Sequence, residues 1–183
     1  MAKLIFTYGA MNAGKTTSLL QTAHNYEEWG LVPKIYTYRG CDHDGRCCCR
    51  LGVSKPCTLF DKSFSFADVD LTGIAILLID EAQFLTSDQV FDLGRIASLK
   101  GVPVMAFGLR TSWQGHLFEG SGALLGIADE LRDIKTICHC GKKAIMNSRT
   151  AQKKTDNEEE LGQDKYESVC RRCWFERTEA ATF

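Results

Sequence analysis

The chain reads as an α/β protein, a parallel, doubly wound sheet flanked by helices. Three observations predict this. Short apolar runs of strand length alternate with segments whose apolar residues recur every three to four positions. The run Ile74-Ala-Ile-Leu-Leu-Ile79 is apolar throughout, as in a strand covered on both faces. Finally, Gly9-Ala-Met-Asn-Ala-Gly-Lys-Thr16 fits G-x-x-x-x-G-K-[ST], a pattern that needs a strand before it and a helix after it.

The elements follow in order. Lys3 to Tyr8 is the first strand. Residues 15 to 29 form a helix whose stripe is Leu19, Leu20, Ala23, Tyr26 and Glu27, with Gly30 as its stop. Lys34 to Tyr38 is the second strand. Residues 39 to 56, polar, cysteine-rich and dotted with glycine, read as a loop. After the central strand, Thr86 fits an N-cap, and Val90, Leu93, Ile96, Ala97 and Leu99 make the stripe of the next helix. Val102 to Phe107 is another strand, and residues 120 to 131 a helix with Leu124, Leu125 and Ala128 on one face. Residues 151 to 164 change character to a polar, charged surface loop, and Thr178 to Phe183 read as a loose tail.

Composition narrows the class. A chain of 183 residues is one moderate domain with a small appendage, which we divide at 1–134 and 135–183. Its 44% hydrophobic and 25% charged residues are ordinary for a soluble globular protein, and a net charge of −1 argues against duplex nucleic acid as the main partner. No run reaches transmembrane length, so no membrane partner is expected. Met1-Ala-Lys-Leu leads straight into the first strand, so no signal peptide is expected and the cytoplasm is the default location. Nine cysteines in such a chain suggest metal ligands or free thiols rather than disulfides.

The glycine pattern lets successive N–H groups converge on a polyphosphate. The nucleotide-binding set is Gly9, Ala10, Met11, Asn12, Ala13, Gly14, Lys15, Thr16 and Thr17, joined by Asp80. Lys15 would reach the terminal phosphates of ATP, and the Thr16 hydroxyl would hold Mg²⁺. The plain alternative, a glycine-rich turn before a helix, leaves the Lys-Thr pair without a purpose. Asp80 and Glu81 close the central strand. Asp80 suits Mg²⁺, directly or through water, and Glu81 could take a proton from an acceptor hydroxyl as phosphoryl transfers. Acidic pairs also cap strands that face water; the phosphate loop upstream favours chemistry.

Cys138, Cys140, Cys170 and Cys173 form two close pairs, and four thiolates suit a tetrahedral structural Zn²⁺. The metal would replace a core this segment cannot build. His139 competes as a ligand, but two adjacent residues bind one ion with poor geometry. Cys41, Cys47, Cys48, Cys49 and Cys57, with His43, match no metal spacing and read as free thiols on a flexible loop.

Together these motifs resemble the type II thymidine kinases, the small zinc-containing family. The likeness runs through Gly9 to Thr16, Leu78-Ile-Asp-Glu-Ala-Gln-Phe84, Gly108-Leu-Arg-Thr111, Phe118-Glu-Gly-Ser121, Cys138 to Ala144 and Asp164 to Cys173. The resemblance implies a P-loop NTPase-type domain with a zinc-bound lasso domain, and an ATP:thymidine 5′-phosphotransferase acting in nucleotide salvage. The loop between the cysteine pairs would fold over the nucleoside and read the pyrimidine edge through backbone groups. By matching position, Glu81 is the general base and Tyr166 packs near the base or sugar. Met11, Phe84, Leu109 and Phe118 wall the thymine. Asp44 and Arg46 look like the family's D-x-R beside the phosphates, where Arg46 could neutralise developing charge, with Asp42 competing for the match. A homotetramer and feedback inhibition by dTTP are implied as well.

Physics adds an expectation of its own. A backbone-read base edge rejects purines strongly, whereas one methyl group is worth only about 1–3 kcal/mol, so deoxyuridine should be rejected modestly. Two other classes stay open. Asp80-Glu-Ala-Gln83 also looks like a helicase motif, so a nucleic-acid-dependent ATPase with Arg171 and Arg172 as contacts is one. A non-catalytic zinc protein using ATP as a switch is the other.

Overall fold

The computed structural model describes residues 1–149 and 166–180, with side chains through 178. The polar loop 151–164 and the last three residues of the expected tail lie outside the described residues. No helix among the described residues is long and apolar enough to cross a membrane.

The chain runs β1 (Leu4–Tyr8), α1 (Lys15–Glu28), β2 (Val32–Tyr38), β3 (Arg46–Cys48), β4 (Ser54–Pro56), β5 (Thr58–Phe60) and β6 (Ile74–Ile79). It continues through α2 (Ser87–Arg95), β7 (Val104–Gly108), α3 (Glu119–Ile127) and β8 (Glu130–Asp133). Four short strands follow, β9 (Thr136–Ile137), β10 (Lys143–Ala144), β11 (Met146–Arg149) and β12 (Tyr166–Val169), and then α4 (Arg171–Ala180). Six strands form the main sheet in the order β5-β2-β6-β7-β1-β8, every neighbouring pair parallel.

Strand side chains alternate between the two faces, and this builds two cores. Ile76, Leu78, Met105 and Phe107 face α1, where Leu19, Leu20 and Ala23 meet them. Leu77, Ile79, Leu4, Phe6, Val104 and Ala106 face the other side, against Val90, Leu93, Ile96 and Ala97 and against Leu124 of α3. Leu19, Leu20 and Ala23 of the α1 stripe bury as the sequence predicts and Tyr26 packs half-buried beside them, whereas Glu27 is exposed and pairs with Lys55 instead; Gly30, at φ 70°, ends the helix. Thr86 caps α2 in a reciprocal box: its hydroxyl accepts from the Gln89 amide at 3.2 Å, and the Gln89 side chain accepts from the Thr86 amide at 3.0 Å.

Four expectations need correction. Residues 39–56 are not all loop, because β3 and β4 pair as an antiparallel hairpin. Cys47 turns inward there and is 1% exposed, so a thiol serves as the apolar residue of the pattern. The helix expected to 131 ends at Ile127, and Glu130–Asp133 joins the sheet beside β1. That edge strand is polar and mostly exposed, so it carries no apolar run to mark it. Leu99 leaves its stripe because α2 widens into a π turn at Ile96–Lys100, and its side chain is 77% exposed. Finally, α4 extends to Ala180, into the expected tail.

The capping box predicts a measurable cost. Thr86→Ala should lower stability by about 1 kcal/mol. Gln89→Ala should cost more, about 2–3 kcal/mol, because Nε2 of the buried Gln89 also donates to the Asp61 and Phe64 carbonyls, each at 2.8 Å. Urea unfolding of the two variants checks the order.

Candidate functional site

The site lies at the carboxyl end of the parallel sheet, where open α/β sheets bind ligands. β1 must turn into α1 within a few residues. Gly14 makes that turn possible at φ 87°, and Gly9 admits the close approach of the chain: a Cβ there would sit 2.7 Å from the Ile134 carbonyl oxygen. The loop wraps over the Lys15 ammonium, which donates to the Gly9 carbonyl at 3.2 Å and the Ala10 carbonyl at 3.0 Å. Burial lowers the Lys15 pKa, against the opposing pull of Glu81 and Asp80.

Asp80 continues β6, its amide donating to the Tyr36 carbonyl at 2.8 Å. Its carboxylate is buried. Oδ2 accepts from the Thr16 hydroxyl at 3.0 Å and from the Cys47 thiol at 3.3 Å. Glu81 then leaves the sheet in the left-handed region at φ 53°, an uncommon conformation for a side-chain-bearing residue. Gln83 Nε2 donates to Glu81 Oε2 at 2.6 Å, while Gln83 Oε1 accepts from the Leu109 amide at 3.0 Å. Ser121 Oγ donates to the Leu109 carbonyl at 2.5 Å.

A cavity of ≈ 320 Å³ opens between these groups. Met11, Asn12, Ala13, Gly14, Lys15, Thr16 and Thr17 line it, as do Glu81, Leu109, Cys48 at the end of β3 and the turn residues Cys49, Arg50 and Leu51. Gly9 and Ala10 line a smaller space of ≈ 70 Å³ behind the loop. Phe84 and Phe118 come together with ring centroids 5.9 Å apart, and Phe84 also stacks on Tyr38 at 4.6 Å. Tyr166 opens β12, opposite Arg149.

Asp44 and Arg46 do not line the cavity. Arg46 is exposed and donates across its hairpin to the Ser54 hydroxyl and carbonyl, at 3.0 and 3.1 Å. Asp42 accepts from the Gly45 amide at 2.9 Å, closing a turn. Arg50 is the arginine of this segment that lines the wall. Sequence reasoning missed Cys47 and Gln83. The Gln83 signal was its spacing two residues after Glu81; Cys47 had none, since a thiol in a cysteine-rich stretch looks like any other.

The four late cysteines converge. Their sulfur atoms all lie within 4.8 Å of one another, and Cys140 Sγ is 3.6 Å from Cys170 Sγ. The edge of a tetrahedral zinc–thiolate site is about 3.8 Å, so the donor set fits Zn²⁺. Cys138 and Cys140 sit in the β9–β10 turn, and Cys170 and Cys173 at the start of α4. Burial opposes the Cys138 thiolate, but the Cys140 and Cys170 amides outweigh it and bring the thiol down to about 6. The sulfurs are not the only packing here. Ala144, Met146 and Val169 form a small apolar cluster with Cys138, Cys170 and Cys173, so the segment builds more core than its sequence suggests. Among the described residues the middle cysteines form no group that could hold a metal.

A family model described as thymidine kinase matches residues 2–174. A thymidine kinase of Rhizobium meliloti is 44% identical over 196 residues, covering 97% of this chain and 98% of the relative. One of Mesorhizobium japonicum is 46% identical, covering 96% and 92%. One of enterobacteria phage T4 is 43% identical, covering 97% and 98%.

Burial, and then the neighbouring Glu81 charge, raise the Asp80 carboxyl to about 7. From about 4 to about 7 the folded protein keeps a proton that the unfolded chain has released. The contribution of Asp80 to stability therefore falls as pH rises through that window. In nucleotide-free protein, Asp80→Asn should raise the melting temperature over wild type more at about pH 8 than at about pH 5. Calorimetry at the two pH values checks the difference; an equal gain at both contradicts it.

Proposed function

The chain belongs to the thymidine kinase family, and on that footing we propose that it transfers the γ-phosphoryl group of ATP to the 5′-hydroxyl of thymidine, giving dTMP and ADP. One observation carries the reading: Glu81, its carboxylate held by Gln83, lines the same cavity as the phosphate loop. A polyphosphate on one wall then faces a proton acceptor on the other.

In the reaction, the thymidine 5′-oxygen forms a bond to the γ-phosphorus as the bond from that phosphorus to the β–γ bridging oxygen breaks. The electron pair leaves with ADP, and the hydroxyl proton passes to Glu81. Lys15 meets the terminal phosphates at the start of α1. Arg50, in the lining of the same cavity, supplies the cation that the sequence assigned to Arg46. Thr16 and Asp80 offer hard oxygen donors that suit Mg²⁺, which when bound neutralises phosphate charge. Met11, Leu109, Phe84 and Phe118 form the apolar walls around thymine, and Tyr166 packs near the base or sugar. Residues 135–183 make a separate lasso domain whose four cysteines suit Zn²⁺, and its loop excludes water from the γ-phosphate. Homotetramer assembly and inhibition by dTTP complete the proposal on family resemblance.

Product analysis with Mg·ATP tests it. Purified zinc-loaded protein should release ADP with thymidine, less well with deoxyuridine and poorly with deoxyguanosine. Release stimulated by single-stranded DNA and indifferent to thymidine would instead favour the nucleic-acid-dependent ATPase. Glu81→Gln should lower turnover by about 10²–10⁴-fold, while Mg·ADP affinity holds. Turnover near wild type in that variant would remove Glu81 as the base.

A further inference from the structure

We infer that Asn147 and Ser168 are positioning residues that hold the phosphate loop through the backbone of Met11. The inference rests on the reading above, that this loop binds ATP. Met11 lines the nucleotide cavity, yet both of its backbone polar groups are engaged from elsewhere in the chain. Its amide donates to Asn147 Oδ1 at 2.8 Å. Its carbonyl accepts from the Ser168 hydroxyl. Asn147 lies on β11 and Ser168 on β12, and the two are directly opposed partners in that antiparallel pair. One rung of an antiparallel strand pair therefore grips one residue of the loop at both ends.

The partners are far apart in sequence, 136 residues from Met11 to Asn147 and 157 from Met11 to Ser168. No local pattern demands the contact, so it is tertiary in origin. Asn147 is 4% exposed, which makes its amide oxygen a committed acceptor: without the Met11 amide, a buried polar group would lack its partner. The Met11 N–H is thereby directed to Asn147 rather than added to the N–H groups that face a phosphate. The remaining loop amides depend on where this anchor sets the chain.

The strand pair is itself packed against the cysteine-bearing segment. Met146, beside Asn147, and Val169, beside Ser168, pack in the apolar cluster with Cys138, Cys170 and Cys173. A second link runs the same way, since Trp174 Nε1 of α4 donates to the Trp113 carbonyl at 2.8 Å, in the segment that follows Leu109. The cysteine-bearing module thus fixes the shape of the phosphate loop as well as closing its own chain.

The test uses zinc-loaded full-length protein and titrates Mg·ADP by calorimetry. Asn147→Leu keeps the volume and removes the acceptor; it should weaken Mg·ADP binding about tenfold, with KM for ATP rising in parallel. Ser168→Ala should weaken binding about threefold, and Ser168→Thr, which keeps the hydroxyl, should restore it. Zinc content and melting temperature of each variant are measured alongside. Wild-type affinity in Asn147→Leu overturns the inference, even where its melting temperature falls, because a purely structural role moves only stability. Equal weakening in Ser168→Ala and Ser168→Thr overturns it too. Wild-type protein that does not bind Mg·ADP overturns the functional reading itself.

Discussion

The buried carboxylate of Asp80 is the constraint on which the carboxyl edge of the sheet depends. A charge taken out of water is costly unless it is paired and hydrogen-bonded. Here the hydrogen bonds come from separate parts of the chain. Thr16 donates from the start of α1 and Cys47 from β3, and the Lys15 ammonium adds attraction through space. One carboxylate therefore ties the helix after the phosphate loop to the hairpin that supplies the opposite cavity wall. Burial also raises its pKa to about 7, so the group sits near neutrality between two charge states. A nearby cation favours the ionised form.

The turn at Glu81 separates two roles that the sequence places side by side. Consecutive residues in an extended strand point to opposite faces. At Glu81 the backbone leaves the extended conformation for the left-handed region, so the strand ends there. Asp80 stays beneath the phosphate loop, Glu81 reaches the cavity, and Gln83 bridges Glu81 to the Leu109 amide. The Glu81 carboxylate and the Leu109 backbone are in this way held by a single side chain.

Much of this was legible in the sequence. The glycine-lysine pattern located the turn from β1 into α1 because each residue type has a local geometric reason to be there. The run Ile74 to Ile79 announced a central strand because both of its faces are buried. What stayed hidden depends on contacts distant in sequence. Asn147 and Ser168 look like ordinary polar residues on short strands until the fold sets them against Met11. Cys47 looked like one more loop thiol, and its burial against Asp80 appears only with the β3–β4 hairpin. β8 was unreadable because an exposed edge strand owes its form to backbone pairing with β1 rather than to an apolar pattern.

The central claim is that this cavity delivers the γ-phosphoryl group to a nucleoside hydroxyl and keeps it from water. The most direct measurement follows the fate of that group: zinc-loaded protein, Mg²⁺ and ATP labelled at the γ-phosphate, with and without thymidine. The account predicts that the label appears in dTMP when thymidine is present, with little inorganic phosphate in either case. Label released as inorganic phosphate at the same rate with or without thymidine would contradict it.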